Sequence, residues 1–170
     1  DTQTQRMYAI RDGTYDTPKT AGLPITPAVL DLVSGSAGLG EGVIAPNGWY
    51  DDLPPGQRIV RPIAAAVGIV AYLATGLPVD PCQVGQPADL YVRQFGNGES
   101  RIGGGAEFVS IGDGGAGIQV VALHDPTCTD NCVPKLAMMV TTTQPRNIVV
   151  PLQPPPGSQQ HRISWRQLGQ

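Results

Sequence analysis

A chain of 170 residues with a net charge of −3 and only 15% charged residues carries too little charge, of the wrong sign, to grip a nucleic-acid backbone. Its 22 Gly and 17 Pro are far above average usage, yet 41% hydrophobic residues suffice for a packed core and argue against disorder. Short apolar runs broken by Gly and Pro predict an all-β fold of antiparallel sheets, in one domain or part of a larger one.

Asp1 opens without an initiator Met or a signal-peptide pattern and reads as the start of a processed or truncated chain. Residues 5–10 predict a strand with Met7 and Ala9 on one face and Tyr8 and Ile10 on the other. Asp12-Gly13 is a turn, and residues 14–22 are a polar loop. Thr26-Pro27 carries a helix-start signature, Thr as N-cap and Pro at the first helical position. A helix of about two turns is expected there, with Leu30 and Val33 packing inward and Gly35 ending it. Asn47-Gly48 is a turn dipeptide. Trp49 and Tyr50 begin a short edge strand that Pro54-Pro55-Gly56 breaks. Residues 57–61 alternate and send Ile59 toward a core. Residues 63–75 are almost wholly apolar but too short for a bilayer, which needs about 20 residues. Gly68 and the β-branched residues favour one buried strand there, against the pull of Ala64-Ala65-Ala66 toward helix.

Residues 75–88 are a long turn region containing Cys82. Residues 89–95 alternate Leu90, Val92 and Gln94 against Tyr91, Arg93 and Phe95, the pattern of a half-exposed strand. Gly96-Asn97-Gly98 is a hairpin-type turn, residues 107–111 a short strand, and residues 112–117 a flexible turn. Residues 118–123 and 136–142 make the best hairpin, joined by a connection that carries Cys128 and Cys132. Residues 147–152 are another strand. Pro154-Pro155-Pro156-Gly157 is a stiff linker, and residues 162–167 are a last strand or amphipathic tail with Trp165. The total is about nine or ten strands and one short helix, with no fixed sequence period.

The middle of this series resembles a known family. Gly48-Trp49-Tyr50, Asp52-Leu53-Pro54, Gly56, Arg58-Ile59-Val60, Pro62 and Asp80-Pro81-Cys82 follow one another as in the C-terminal region of the PilC/PilY proteins, type IV pilus assembly factors and tip-associated adhesins. The run from Arg6 to Asp12 resembles the family's preceding propeller strand, and the run from Arg162 to Leu168 its closing tail. The resemblance implies a partial, quinoprotein-like β-propeller over residues 1–152, followed by a Pro-rich linker and tail over residues 153–170. About two four-stranded blades are accounted for, too few to close a ring. It also implies a non-enzymatic, secreted pilus component at the surface of a Gram-negative bacterium. The partners implied are pilins or minor pilins, a host or surface receptor, and the remainder of the same protein or neighbouring copies. The strands around residues 63–75 and 118–123 are expected to offer an uncovered apolar face to such a partner. The family's calcium loop would sit upstream of Arg6, and its Arg-Gly-Asp motif is replaced here by Arg11-Asp12-Gly13 in the wrong order, so no cofactor is expected. Two rival functions stand beside this one: a self-assembling extracellular filament subunit, and a fragment of a quinoprotein-like propeller enzyme.

Other residue patterns give no catalytic site. Cys128 and Cys132 read first as a disulfide closing a small loop; a redox pair, or a metal site completed by His124, is the alternative. Cys82 is then left for another partner. Gly103-Gly104-Gly105 and the glycines of residues 112–117 lack the Lys-Ser/Thr and the following helix of a phosphate loop. No alternating carboxylate run builds a calcium loop. His124 and His161 lack a triad context, and there is no Gly-x-Ser-x-Gly. Asp51-Asp52 reads as a turn cap before it reads as a catalytic pair. Trp49 and Trp165 read as core or docking residues before recognition aromatics.

Overall fold

The computed structural model describes residues 3–11, 25–66, 68–77, 86–123, 135–142 and 147–153. Three sheets stack face to face. The first holds β1 (Arg6–Ile10), β2 (Asp31–Val33) and β3 (Gly48–Asp52) in the order β1-β3-β2. The central sheet holds β4 (Arg58–Ile59), β5 (Ala64–Ala66), β6 (Ile69–Thr75), β7 (Pro87–Gln94) and β8 (Val109–Asp113). Both β4 and β5 pair with β6, at its two ends, so they form one edge broken around Pro62. The third sheet has the order β11-β10-β9, from β9 (Gly115–Leu123), β10 (Lys135–Thr142) and β11 (Asn147–Pro151). Among the described residues every strand pairing is antiparallel except that of β2 with β3. The all-β, antiparallel expectation holds. Among the described residues the sheets have three, five and three strands rather than a succession of four-stranded meanders.

The central sheet is covered on both sides, and this explains its sequence. Ile69, Ala71 and Leu73 of β6 join Leu90 and Val92 of β7 against Met138, Val140 and Val150 of the third sheet. The alternate residues Val70, Tyr72 and Ala74, with Tyr91, face Met7, Ala9, Val33 and Trp49 of the first sheet. A strand buried on both faces reads as an unbroken apolar run because neither face can be polar. Every residue of β6 is buried.

Five local expectations change. The predicted two-turn helix is a single 3-10 turn at Pro27–Val29, and Thr26 makes no side-chain cap bond. The chain turns extended at Leu30 and enters β2, whose register with Trp49, Tyr50 and Asp51 outweighs the local start signal. Leu30 and Val33 are nevertheless buried, as expected. The strand of Trp49 and Tyr50 is the centre of its sheet, not an edge. Residues 63–75 are a hairpin rather than one strand: Gly68 takes φ +74 at its turn, and Ala66 pairs with Ile69. The β7 strand is buried on both faces instead of half-exposed, because the first sheet covers the face of Tyr91 and Arg93. Residues 112–117 are mostly strand; the chain crosses from the central to the third sheet at Gly114. Fully buried β6 adds nothing to the apolar face expected around residues 63–75 and 118–123, where Ile63 and Leu123 are exposed; other exposed large apolar residues include Tyr8, Ile10 and Leu32 on the first sheet and Val149 on the third.

Candidate functional site

The densest polar chemistry lies between the first and central sheets. Strand alternation sends Trp49 and Asp51 of β3 inward and Tyr50 and Asp52 outward. Tyr72 on β6 and Arg93 on β7 face Asp51 from the other side. Asp51 Oδ2 accepts from Tyr72 Oη at 2.6 Å, from Arg93 Nη2 at 2.7 Å and from Arg93 Nε at 3.0 Å. Arg93 Nη1 donates to the carbonyls of Gly35 at 2.5 Å and Gly98 at 3.4 Å, and Nη2 also reaches Glu107 Oε1 at 3.2 Å. The Tyr72 and Tyr91 rings stack with centroids 5.1 Å apart, and the Arg93 guanidinium sits 5.5 Å from the Tyr91 centroid. Arg93 is 0% exposed and Asp51 4%. Such burial is tolerated only for a paired charge whose donors are satisfied.

Burial lowers the Arg93 pKa, but the Asp51 charge and the Tyr72 and Asp51 hydrogen bonds more than restore it, so the guanidinium is held cationic. Burial drives the Tyr72 phenol far above its usual value, and the charge and hydrogen bond of Asp51 add to the rise. Burial does the same to Tyr91, with Asp89, Asp51 and Glu107 adding to it. Both folded-state values lie above the unfolded one. Their contribution to stability is therefore intact below about pH 10, where unfolded phenols ionise, and is lost as pH rises beyond it. Absorbance at 295 nm, followed alongside circular dichroism, should show the phenolates of Tyr72 and Tyr91 appearing only as the fold melts. Phe substitutions assign the two signals. Titration of either near pH 10 with the dichroism intact would contradict the buried placement.

A second network fixes the loop of residues 35–42 against the turn after β7. Asn97 Nδ2 donates to the Gly40 carbonyl at 2.8 Å, and its Oδ1 accepts from the Glu99 N–H at 3.0 Å. Arg101 Nη2 donates to Gln94 Oε1 and to Glu99 Oε2. Beside it, a cleft of about 320 Å³ is lined by Ala9, Ile44, Ala45, Phe95, Gly48 and Gly96, with Arg11 as its one charged lining residue.

These arrangements hold elements together. A general base must reach a substrate proton, and Asp51 is buried with one oxygen shared by three donors. Asp51 and Asp52 do not act as a pair: they point to opposite faces, and Asp52 holds Arg6 on the outside. Trp49 is core, 0% exposed, with its indole N–H on the Phe95 carbonyl at 2.9 Å. Gly103, Gly104 and Gly105 form a 3-10 turn that brings Gly103 against Pro151. Cys82, Cys128, Cys132, His124, His161 and Trp165 lie outside the described residues, as does the expected Cys128–Cys132 disulfide. Sequence reasoning missed Arg93. The signal available was its place on one face with Tyr91, in a chain with few charges. No family model, curated protein or solved structure matches this chain.

Proposed function

We propose that this chain is the C-terminal part of a type IV pilus-associated protein, a tip adhesin or pilus assembly factor that acts through its surfaces rather than by catalysis. The observation that carries the reading is the ordered run from Gly48-Trp49-Tyr50 through Arg58-Ile59-Val60 to Asp80-Pro81-Cys82. The resemblance is to a quinoprotein-like propeller. Sheets stacked face to face are consistent with neighbouring blades of one, each covering the next. In that reading the outer faces, with Tyr8, Ile10 and Leu32 on one side and Val149 on the other, receive the rest of the same protein. Commitment of Asp51, Tyr72 and Arg93 to one another favours the non-enzymatic role over a quinoprotein enzyme. The place of action is the outer surface of a Gram-negative bacterium, at the pilus, with pilins and a surface receptor as partners and no cofactor of its own.

Immunogold labelling of whole cells with antibody to this chain tests the proposal, alongside deletion of its coding region. Label on pili or their tips, and loss of piliation or attachment on deletion, are the expected results. Label confined to the cytoplasm, with piliation and attachment unchanged by the deletion, would overturn it.

A further inference from the structure

An edge strand offers unpaired backbone groups to any other strand, and natural sheets protect their edges with charges, Pro, bulges or short length. Most sheet edges here are protected. The β1 edge carries Arg6, and β2 has three residues and Asp31. The β4 and β5 segments have two and three residues and are separated by Arg61-Pro62. The β8 strand ends in Asp113 and has a register shift against β7. The β11 strand ends in Pro151. The exception is β9, with the sequence GAGIQVVAL: nine residues, no charge and no Pro. Its one irregularity against β10 lies between Thr141 and Thr142, at the β9 N-terminal end. From Gly117 to Leu123 the ladder is regular. Among the described residues, β9 pairs with β10 alone. A regular, uncharged, Pro-free run of about seven residues is the composition that most readily adds strands.

We propose that β9 pairs with β9 of a second copy of this chain, antiparallel about a two-fold axis, with Gln119 opposite Gln119 of that copy. Three observations select this occupant. The strand carries no charge, so meeting itself creates no like-charge pair. The two-fold places Ile118 opposite Val120 of the second copy, and both belong to the side packed on the core, so neither sheet has to turn over. Gln119, the one polar side chain of the strand, is exposed, and its amide meets the same amide across the axis. The product is one continuous sheet, β11-β10-β9 followed by β9-β10-β11 of the second copy, a closed isologous dimer rather than a fibre. This deepens the proposed surface role by naming one edge and its occupant. It is tested on the purified chain, where pili play no part, so either proposal can fail without the other.

Sedimentation equilibrium compares the wild-type chain, Gln119→Lys, Gln119→Glu, an equal mixture of these two variants, and Val149→Lys. The last places a charge at a half-exposed position on β11, at the far edge of the same sheet. The wild type and Val149→Lys should sediment at twice the 17.8 kDa chain mass. Gln119→Lys and Gln119→Glu alone should each weaken association by about tenfold or more, since like charges then lie directly opposite, while the mixture restores it. Thermal melts monitored by circular dichroism establish that each variant is folded; a melted Lys variant leaves the Glu variant and the wild type to decide. A monomeric wild type overturns the proposal. So does dimerisation that survives both Gln119 substitutions, or that is lost in Val149→Lys.

Discussion

Replacing Asp51 with Ala should cost this fold about 3–5 kcal/mol, the cost of breaking a buried ion pair by removing one partner. The loss has two parts. Arg93, fully buried, keeps a charge whose carboxylate partner inside the first sheet is gone; Glu107 remains, but its side chain is 38% exposed and pairs weakly. Tyr72 Oη loses its acceptor at the same time. For a chain of this length the loss corresponds to a fall in Tm on the order of 10 °C. The double replacement Asp51→Leu with Arg93→Met removes both charges and fills similar volume, so the part of the loss that comes from the unpaired guanidinium should return, while Tyr72 Oη still lacks its acceptor and that part stays. Differential scanning calorimetry on the single and double variants gives the coupling directly. A single-variant loss below about 1 kcal/mol, the scale of an exposed pair, would show that solvent reaches this cluster.

Gly48→Ala should be comparably damaging for a different reason. Gly48 adopts φ +110, a conformation that side chains with a Cβ rarely take. An added Cβ would lie 2.0 Å from the Ala9 carbonyl oxygen and 2.9 Å from Ile10 Cα. Both atoms are β1 backbone, so relief means moving β1 off β3, whose register runs from Arg6 against Asp52 to Ile10 against Gly48. Backbone strain of about 1–3 kcal/mol and overpacking of about 1–3 kcal/mol add to roughly 2–6 kcal/mol. Gly96→Ala is the control. Its Cβ would meet nothing within 4 Å, and the change should stay within about 0.5 kcal/mol in the same melts. Equal Tm values for the two variants would contradict the close approach of β1 to Gly48.

Elements with a clean local pattern were legible in the sequence. The alternation of Met7 and Ala9 marked β1, and the two apolar runs either side of the Cys128–Cys132 connection marked the β9–β10 hairpin. Elements decided by distant partners were not. The segment of Leu30 and Val33 carries a helix-start signal, and only its register with Trp49 and Tyr50 makes it strand. The apolar run of residues 63–75 has no polar residue to mark its turn, so Gly68 looked like a strand residue. Alternation placed Arg93 and Tyr91 on one face correctly. Which face is buried depends on the first sheet, and Asp51 is 42 residues from Arg93 in the chain. No local signal joins them.

Two-sided burial of the central sheet is tested most directly by hydrogen exchange, residue by residue, on the native chain. Protection follows the free energy of the opening that exposes each amide, and fully packed strands open only with the whole fold. The amides of β6 and of Ala88–Gln94 in β7 that donate within the ladder should exchange most slowly, at the rate of global unfolding. Those of β1 and β11, at the edges of the outer sheets, should exchange faster through local opening. Exchange in β6 and β7 as fast as in β1 and β11 would mean that one of the two covering sheets is not there.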